Sequence, residues 1–440
     1  MKNIVLGVLI AITFNAHAQH SISGTFTPQK EYSWLIAYHL RPGSQVYIAD
    51  TAIKEGKFTL DLSETSPTGS YRIVYALPQE EFYFDIIYNG KEDIELSFDS
   101  EKGVSFIASE ENKLFSSYFK EINASEIEII TFYAEEKSDL KAFETILEKS
   151  RQTQASYEAK SEGLLAHHFI RANKSYIPKK NESIQDYVKH KKQNYFNALD
   201  FKNSVLQASG FLTDKLTNYV CTALPFAQLT RPETEKVMQA NIETVNIHLN
   251  ELEQAYKLHL FYTLWTRVVA NGFNDTSDFI YESYIKHLVK TTKDQEIITA
   301  IETHNRLRLG AVAPEIIWND GLSQKKLSTL EGAQNYVLIF WSSTCSHCLK
   351  ELPPLHKKFK EKPLVKVLAV GLEDDDVNWK KESAKLGAFE HAIALGRWES
   401  EYATLYDIHQ TPTYFILDKD KRILAKFDHD KDVIDFFEER

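Results

Sequence analysis

Three cysteines in 440 residues, Cys221, Cys345 and Cys348, are too few to staple a chain of this length. A disulfide scaffold is excluded, and stability has to come from hydrophobic cores. Basic residues are also in deficit, with 51 Lys and Arg against 62 Asp and Glu and a net charge of -11. Phosphate binding needs a basic face, so nucleic acid is not the expected partner. Long apolar runs are missing beyond the N-terminus, where none reaches the roughly 20 residues of a membrane-spanning helix. Internal repeats and low-complexity tracts are absent as well. What remains, at 43% hydrophobic and 26% charged, has the composition of a globular protein. Its length predicts two to four domains at roughly 100–200 residues each.

The chain opens with a basic Lys2, an apolar run from Ile4 to Phe14 and the small-x-small triplet Ala16-His17-Ala18. This pattern predicts a secretory signal peptide over residues 1–18, with a mature chain from about Gln19 that carries no membrane span. The expected location is an oxidising compartment, the periplasm, in which a close cysteine pair can cycle.

Three textures follow. From 19 to 108 the period is two: Phe58, Leu60 and Leu62 alternate after Glu55-Gly56, and Ile94, Leu96 and Phe98 after Asn89-Gly90. An antiparallel β sandwich is expected there. From 109 to 305 the period is helical. Phe115, Tyr118, Phe119 and Ile122 share one face, and Thr234 to Asn271 is free of Gly and Pro. From 306 to 440 strands and helices alternate, which predicts an α/β sheet with a terminal hairpin across Lys419 to Arg422. The predicted class is therefore multi-domain: antiparallel β, then α-helical, then α/β.

Cys345 and Cys348 stand where the apolar strand Asn335 to Trp341 gives way to a helix from Ser346. Unpaired N–H groups and the helix dipole stabilise an anion there, so Cys345 is the expected thiolate nucleophile. Cys348, one turn on, lies on the same face and within reach to resolve a mixed disulfide. A zinc site would have to recruit His356 and His391, without the paired ligand spacing that structural zinc normally uses. Cys221 reads as a buried free thiol of the helical region.

The segments Gly310-Ala311-Val312-Ala313-Pro314, Leu327-Ser328-Thr329-Leu330, Val337 to Trp341, Cys345-Ser346-His347-Cys348, Glu351-Leu352-Pro353 and Gln410-Thr411-Pro412-Thr413 follow in order. Together they resemble the thioredoxin-like domain of TlpA/ResA-type thiol:disulfide oxidoreductases. The resemblance covers about 306–440 and implies a thioredoxin-like fold for it. It also implies a cis Pro412 facing the cysteines, and Thr411, Pro412 and Trp341 as substrate-contacting residues. Pro353 is expected to kink the helix. The implied activity is disulfide exchange with protein thiols, without metal or nucleotide cofactor, supplied by a membrane or periplasmic redox partner.

Two positions depart from the family. Ser346-His347 replaces the usual Gly-Pro or Pro-Pro, and His347 resembles the DsbA-type oxidase motif, where it favours the thiolate. Reduction of partner disulfides is the expected direction, with oxidation the alternative. Six residues before Cys345, where thioredoxin has a buried acid, stands Ile339. Glu373 or the run Asp374 to Asp376 offers a substitute, although a solvated acidic turn is the plainer reading. The competing function is a non-catalytic envelope binding protein whose cysteines form a structural disulfide.

Overall fold

The computed structural model describes residues 20–29, 31–135, 139–321 and 323–438. The signal peptide expected over residues 1–18 lies outside them. The chain divides into two compact units, Met1–Leu288 and Val289–Arg440.

The first unit begins with eight strands: β1 (Ser21–Thr27), β2 (Trp34–Arg41), β3 (Ser44–Ala52), β4 (Lys57–Asp61), β5 (Gly69–Val74), β6 (Tyr83–Tyr88), β7 (Ile94–Asp99) and β8 (Gly103–Ala108). They form two four-stranded sheets, β4-β1-β7-β8 and β3-β2-β5-β6. Alternating residues from both, among them Ile22, Phe58, Leu60, Tyr71 and Leu96, close one core. One pair departs from the antiparallel expectation, because β1 runs parallel to β7. Period-two alternation sets which face a residue occupies and carries no information on pairing direction.

Helices follow, the first being Glu110–Ala134, in which Tyr118 and Ile122 are buried and the rings of Phe115 and Phe119 lie 4.8 Å apart. The Gly- and Pro-free segment Thr234 to Asn271 falls in two helices, Arg231–Leu249 and Gln254–Ala270. The first of them ends at its C-cap Asn250, a residue type of low helix propensity. Sandwich and helices are tied by Asn112, which is buried. Its Oδ1 accepts the Ile87 N–H at 2.9 Å and its Nδ2 donates to the Ile87 carbonyl at 2.7 Å. One side chain thereby satisfies both backbone groups of a buried strand residue.

The second unit starts earlier than residue 306, because helix Thr292–Leu307 belongs to it. Arg306 Nε donates to the Leu405 carbonyl at 2.9 Å, and Leu307 packs against the unit's core. After a short hairpin of β9 (Ile317–Asn319) and β10 (Gln324–Lys326) comes a sheet in the order β13-β12-β11-β14-β15. Its strands are β11 (Asn335–Trp341), β12 (Val365–Glu373), β13 (Glu390–Leu395), β14 (Thr413–Leu417) and β15 (Ile423–Phe427). β11, β12 and β13 are parallel, and β14 and β15 pair antiparallel. The unbroken apolar run of β11 follows from burial on both faces. Tyr336, Leu338 and Phe340 enter one core, while Val337, Ile339 and Trp341 enter the other, with Cys348 and Leu352.

Replacing Asn112 by Ala strands the Ile87 N–H and C=O without partners. We expect a loss of about 1–3 kcal/mol, read as a lower midpoint in urea unfolding; an unchanged midpoint would show that the tie contributes nothing.

Candidate active site

β11 carries the chain through the centre of the sheet to Trp341, and the turn Ser342–Thr344 hands it to helix Ser346–Phe359. That turn is held from below. The Ser343 N–H donates to Glu373 Oε1 at 2.5 Å and the Ser342 hydroxyl to Oε2 at 3.4 Å. Glu373 ends β12, the strand beside β11, and is only 4% exposed. The solvated acidic turn expected here is thus Asp374 to Asp376 alone, which are exposed. Glu373 is drawn inward because the turn's polar groups need an acceptor in a buried place.

Cys345 is the N-cap of the helix. Its N–H donates to the Ser342 carbonyl at 3.1 Å, and its Sγ accepts the Cys348 N–H at 3.3 Å. Sulfur therefore takes the place that a serine or aspartate oxygen usually fills. The Thr411 carbonyl lies 3.4 Å from the same sulfur. Burial works against ionisation of Cys345. Hydrogen bonds from Cys348, from the Thr411 side chain and from the His347 backbone N–H outweigh it and hold the pKa below the ordinary thiol value. Cys348 is 0% exposed. Burial, with the hydrogen bond to Cys345 adding to it, pushes its thiol far up. Both cysteines are free thiols.

The other sequence-predicted residues sort by position. The Thr411–Pro412 peptide is cis, the Thr411 carbonyl lies beside Cys345 Sγ, and Pro412 is buried. His347 is exposed, and its contribution to the sulfur is a backbone N–H rather than the imidazole. Trp341 requires a correction. It is 1% exposed and packs in the core with Cys348, so its indole is a wall behind the site and presents no surface to a substrate. The helix runs continuously through Pro353 and Pro354. Ile339 is buried opposite Tyr414. The Tyr414 hydroxyl donates to Glu351 Oε2 at 3.2 Å, and burial followed by that carboxylate pushes its pKa strongly up. His356 accepts the Ala388 N–H at 3.0 Å and His391 Nε2 lies 3.1 Å from the Leu386 carbonyl, so each is engaged with backbone. Among the described residues no group of three or more His, Cys, Asp or Glu side chains is placed to hold a metal. Cys221 is half-buried rather than buried, and desolvation raises its thiol pKa.

Sequence reasoning missed the residues that shape the opening. Leu372, Arg397 and Trp398 join Ser342, Thr344, Cys345 and Thr411 around a cleft of about 150 Å³. Leu372 carried a signal only as part of an apolar strand, and Arg397-Trp398 none, since they sit in a short 3-10 turn, Arg397–Glu399, about fifty residues along the chain from the cysteines.

A family described as thioredoxin-like matches residues 333–423. The chain is 28% identical over 125 residues to thiol-disulfide oxidoreductase ResA of Bacillus thuringiensis (strain Al Hakam), covering 28% of this chain and 70% of that protein. It is 24% identical over 117 residues to ResA of Geobacillus thermodenitrificans (strain NG80-2), covering 26% and 66%. Among solved structures, a domain of a possible thiol-disulfide isomerase from Cytophaga hutchinsonii ATCC 33406 is 29% identical, with a TM-score of 0.27, covering 30% of this chain and 92% of that one. The C-terminal domain is thioredoxin-like, and the relatives it is similar to are ResA-type thiol-disulfide oxidoreductases. The chain as a whole combines it with an N-terminal β part and a helical part. Among the described residues no helix is long and apolar enough to cross a membrane.

Two measurements test this geometry. In a reduced Cys221→Ser protein, iodoacetamide is expected to label Cys345 with a pH midpoint below the ordinary thiol value of about 8.5. A lowered pKa keeps thiolate present until the pH falls through it, so the rate drops only on the acid side. Cys348 stays unlabelled until unfolding, and equal labelling of both would contradict the assignment. Glu373→Ala removes the acceptor under the turn. A loss of about 1.5–3 kcal/mol in urea unfolding and a rise in the Cys345 labelling midpoint are expected; an unchanged midpoint would show that the turn holds the sulfur without it.

Proposed function

We propose that the protein is an exported, periplasmic thiol:disulfide oxidoreductase that reduces disulfides of protein substrates through Cys345-Ser346-His347-Cys348. The observation that carries this reading is the asymmetry of the pair: an N-capping Cys345 with a lowered pKa beside a fully buried Cys348 with a raised one. Such an asymmetry divides the labour of exchange.

The Cys345 thiolate attacks one sulfur of a substrate disulfide. A bond forms between Cys345 and the attacked sulfur, the substrate S–S bond breaks, and the other substrate sulfur leaves as a thiolate. Cys348 then passes its proton to the departed substrate thiolate or to solvent and attacks Cys345 Sγ, releasing the attacked substrate sulfur as the second thiolate and leaving a Cys345–Cys348 disulfide. Two electrons pass to the substrate, and an external dithiol protein, membrane-bound or periplasmic, restores the reduced pair. Thr411, beside the cis Pro412, offers backbone groups to the substrate next to the attacked sulfur, and the helix N-terminus with the His347 N–H steadies the thiolate.

The reduction potential of the Cys345/Cys348 pair, measured by equilibration of the Cys221→Ser protein in glutathione or dithiothreitol buffers, tests the direction. A value near about -270 mV supports a reductant and one toward about -120 mV an oxidant. Cys348→Ser is expected to accumulate the mixed disulfide, visible by mass, and Cys345→Ser to abolish exchange. No exchange by the unmodified protein would leave a non-catalytic binding module in its place.

A further inference from the structure

The first unit holds a cavity of about 450 Å³ between strand β6 and the helices that follow the sandwich, within the roughly 300–1,000 Å³ range of ligand sites. Two of its walls are single helix faces. Helix Glu110–Ala134 contributes Phe115, Phe119 and Asn123, at i, i+4 and i+8. Helix Phe211–Thr222 contributes Phe211, Asp214, Lys215 and Asn218, at i, i+3, i+4 and i+7. The aromatic stripe of the first helix is thereby divided: Tyr118 and Ile122 enter the core, while Phe115 and Phe119 stay half-buried at the cavity. Phe169 joins them, buried, with its ring 5.5 Å from that of Phe115 and 5.6 Å from that of Phe211. Four phenyl rings in mutual contact therefore line one open recess.

The charges around it are of two kinds. Arg72 donates from Nε and Nη2 to the two oxygens of Asp85 at 2.9 Å each, and Asp214 stands in the field of both Arg72 and Arg267. These carboxylates are balanced by the protein itself. Lys215 is not. Its Nζ lies 5.3 Å from the centre of the Tyr195 ring and 5.7 Å from that of Phe211. The charge that acts on it is Lys191, of the same sign and already paired with Glu126. Burial, with Lys191 adding to it, lowers the amine to about 8, so at neutral pH it is still a cation. A half-buried cation without a counter-charge has lost hydration that nothing in the protein returns.

We propose that this cavity binds a small organic monoanion, a carboxylate with an alkyl or aryl body, the carboxylate on Lys215 and the body against the four phenylalanines. The site lies in the first unit and does not rest on the exchange reading. A bare inorganic ion would leave the rings uncovered. A dianion such as phosphate needs more than one donor cation, and here it would meet Asp85 and Asp214. A monocarboxylate supplies the single charge that Lys215 lacks and the apolar surface that the rings accept.

Isothermal titration calorimetry of the full-length protein tests this with octanoate and 3-phenylpropionate, against their uncharged counterparts 1-octanol and 3-phenylpropanamide. Saturable one-to-one binding of at least one carboxylate is expected, about tenfold or more tighter than its counterpart; the tighter of the two identifies the body as alkyl or aryl. Lys215→Met keeps the apolar stem and removes the charge, and is expected to raise Kd about tenfold or more. Lys215→Arg is expected to retain most of the affinity, and Asn218→Trp, at an exposed position of the rim, to block binding. Circular dichroism identifies a variant that fails to fold, and Lys215→Gln then replaces Lys215→Met. Binding of neither carboxylate overturns the site, as does an unchanged Kd in Lys215→Met. Equal binding of a carboxylate and its uncharged counterpart, or displacement of the carboxylate by inorganic phosphate, overturns the monoanion class.

Discussion

The N–H of Cys348 pointing at the sulfur of Cys345 is the contact on which the site depends. It makes the first cysteine the cap of the helix that carries the second. The same bond that starts the helix favours the thiolate, so the fold and the chemistry use one interaction. An oxygen cap would start the helix equally well and do no exchange. A sulfur placed one turn further along, as Cys348 is, loses the cap geometry and is buried into a raised pKa instead.

That contact holds only if the turn before it is stiff. Stiffness comes from three directions. β11 is buried on both faces, Glu373 accepts hydrogen bonds from the turn itself, and Thr411 closes over the sulfur from the loop before β14. Each comes from a different part of the chain, β11, the end of β12 and the loop before β14, and no single segment suffices. At Ile339, where the family has an acid, the neighbouring strand places Tyr414. Tyr414 is bonded to Glu351, and Glu373 is bonded to the turn.

The cysteine pair, its place at a strand-to-helix junction and the division into β, helical and α/β textures were legible along the chain, because each is a pattern of near neighbours. Trp341 shows the limit of such reading. Its place at the end of an apolar strand put it beside the cysteines correctly, yet whether its ring faced a substrate or the core depended on which of two faces position 341 took. Glu373 shows the same limit in the opposite sense. It headed an acidic run that looked solvated, and the neighbouring strand's turn pulled it inside. The parallel pairing of β1 with β7, and the membership of helix Thr292–Leu307 in the C-terminal unit, depend on partners tens to a hundred residues away.

By itself the sequence determined local matters: alternation and helical period, the cap position of Cys345, the one-turn spacing to Cys348, and a prolyl bond preceding a strand. These follow from dihedral preference and side-chain period, which act over a few residues. Tertiary structure decided which groups converge on the sulfur, which carboxylate is buried, and that Arg397 and Trp398 border the opening. Those outcomes depend on how strands are ordered in the sheet, and order is set by the packing of whole apolar faces rather than by any neighbouring pair of residues.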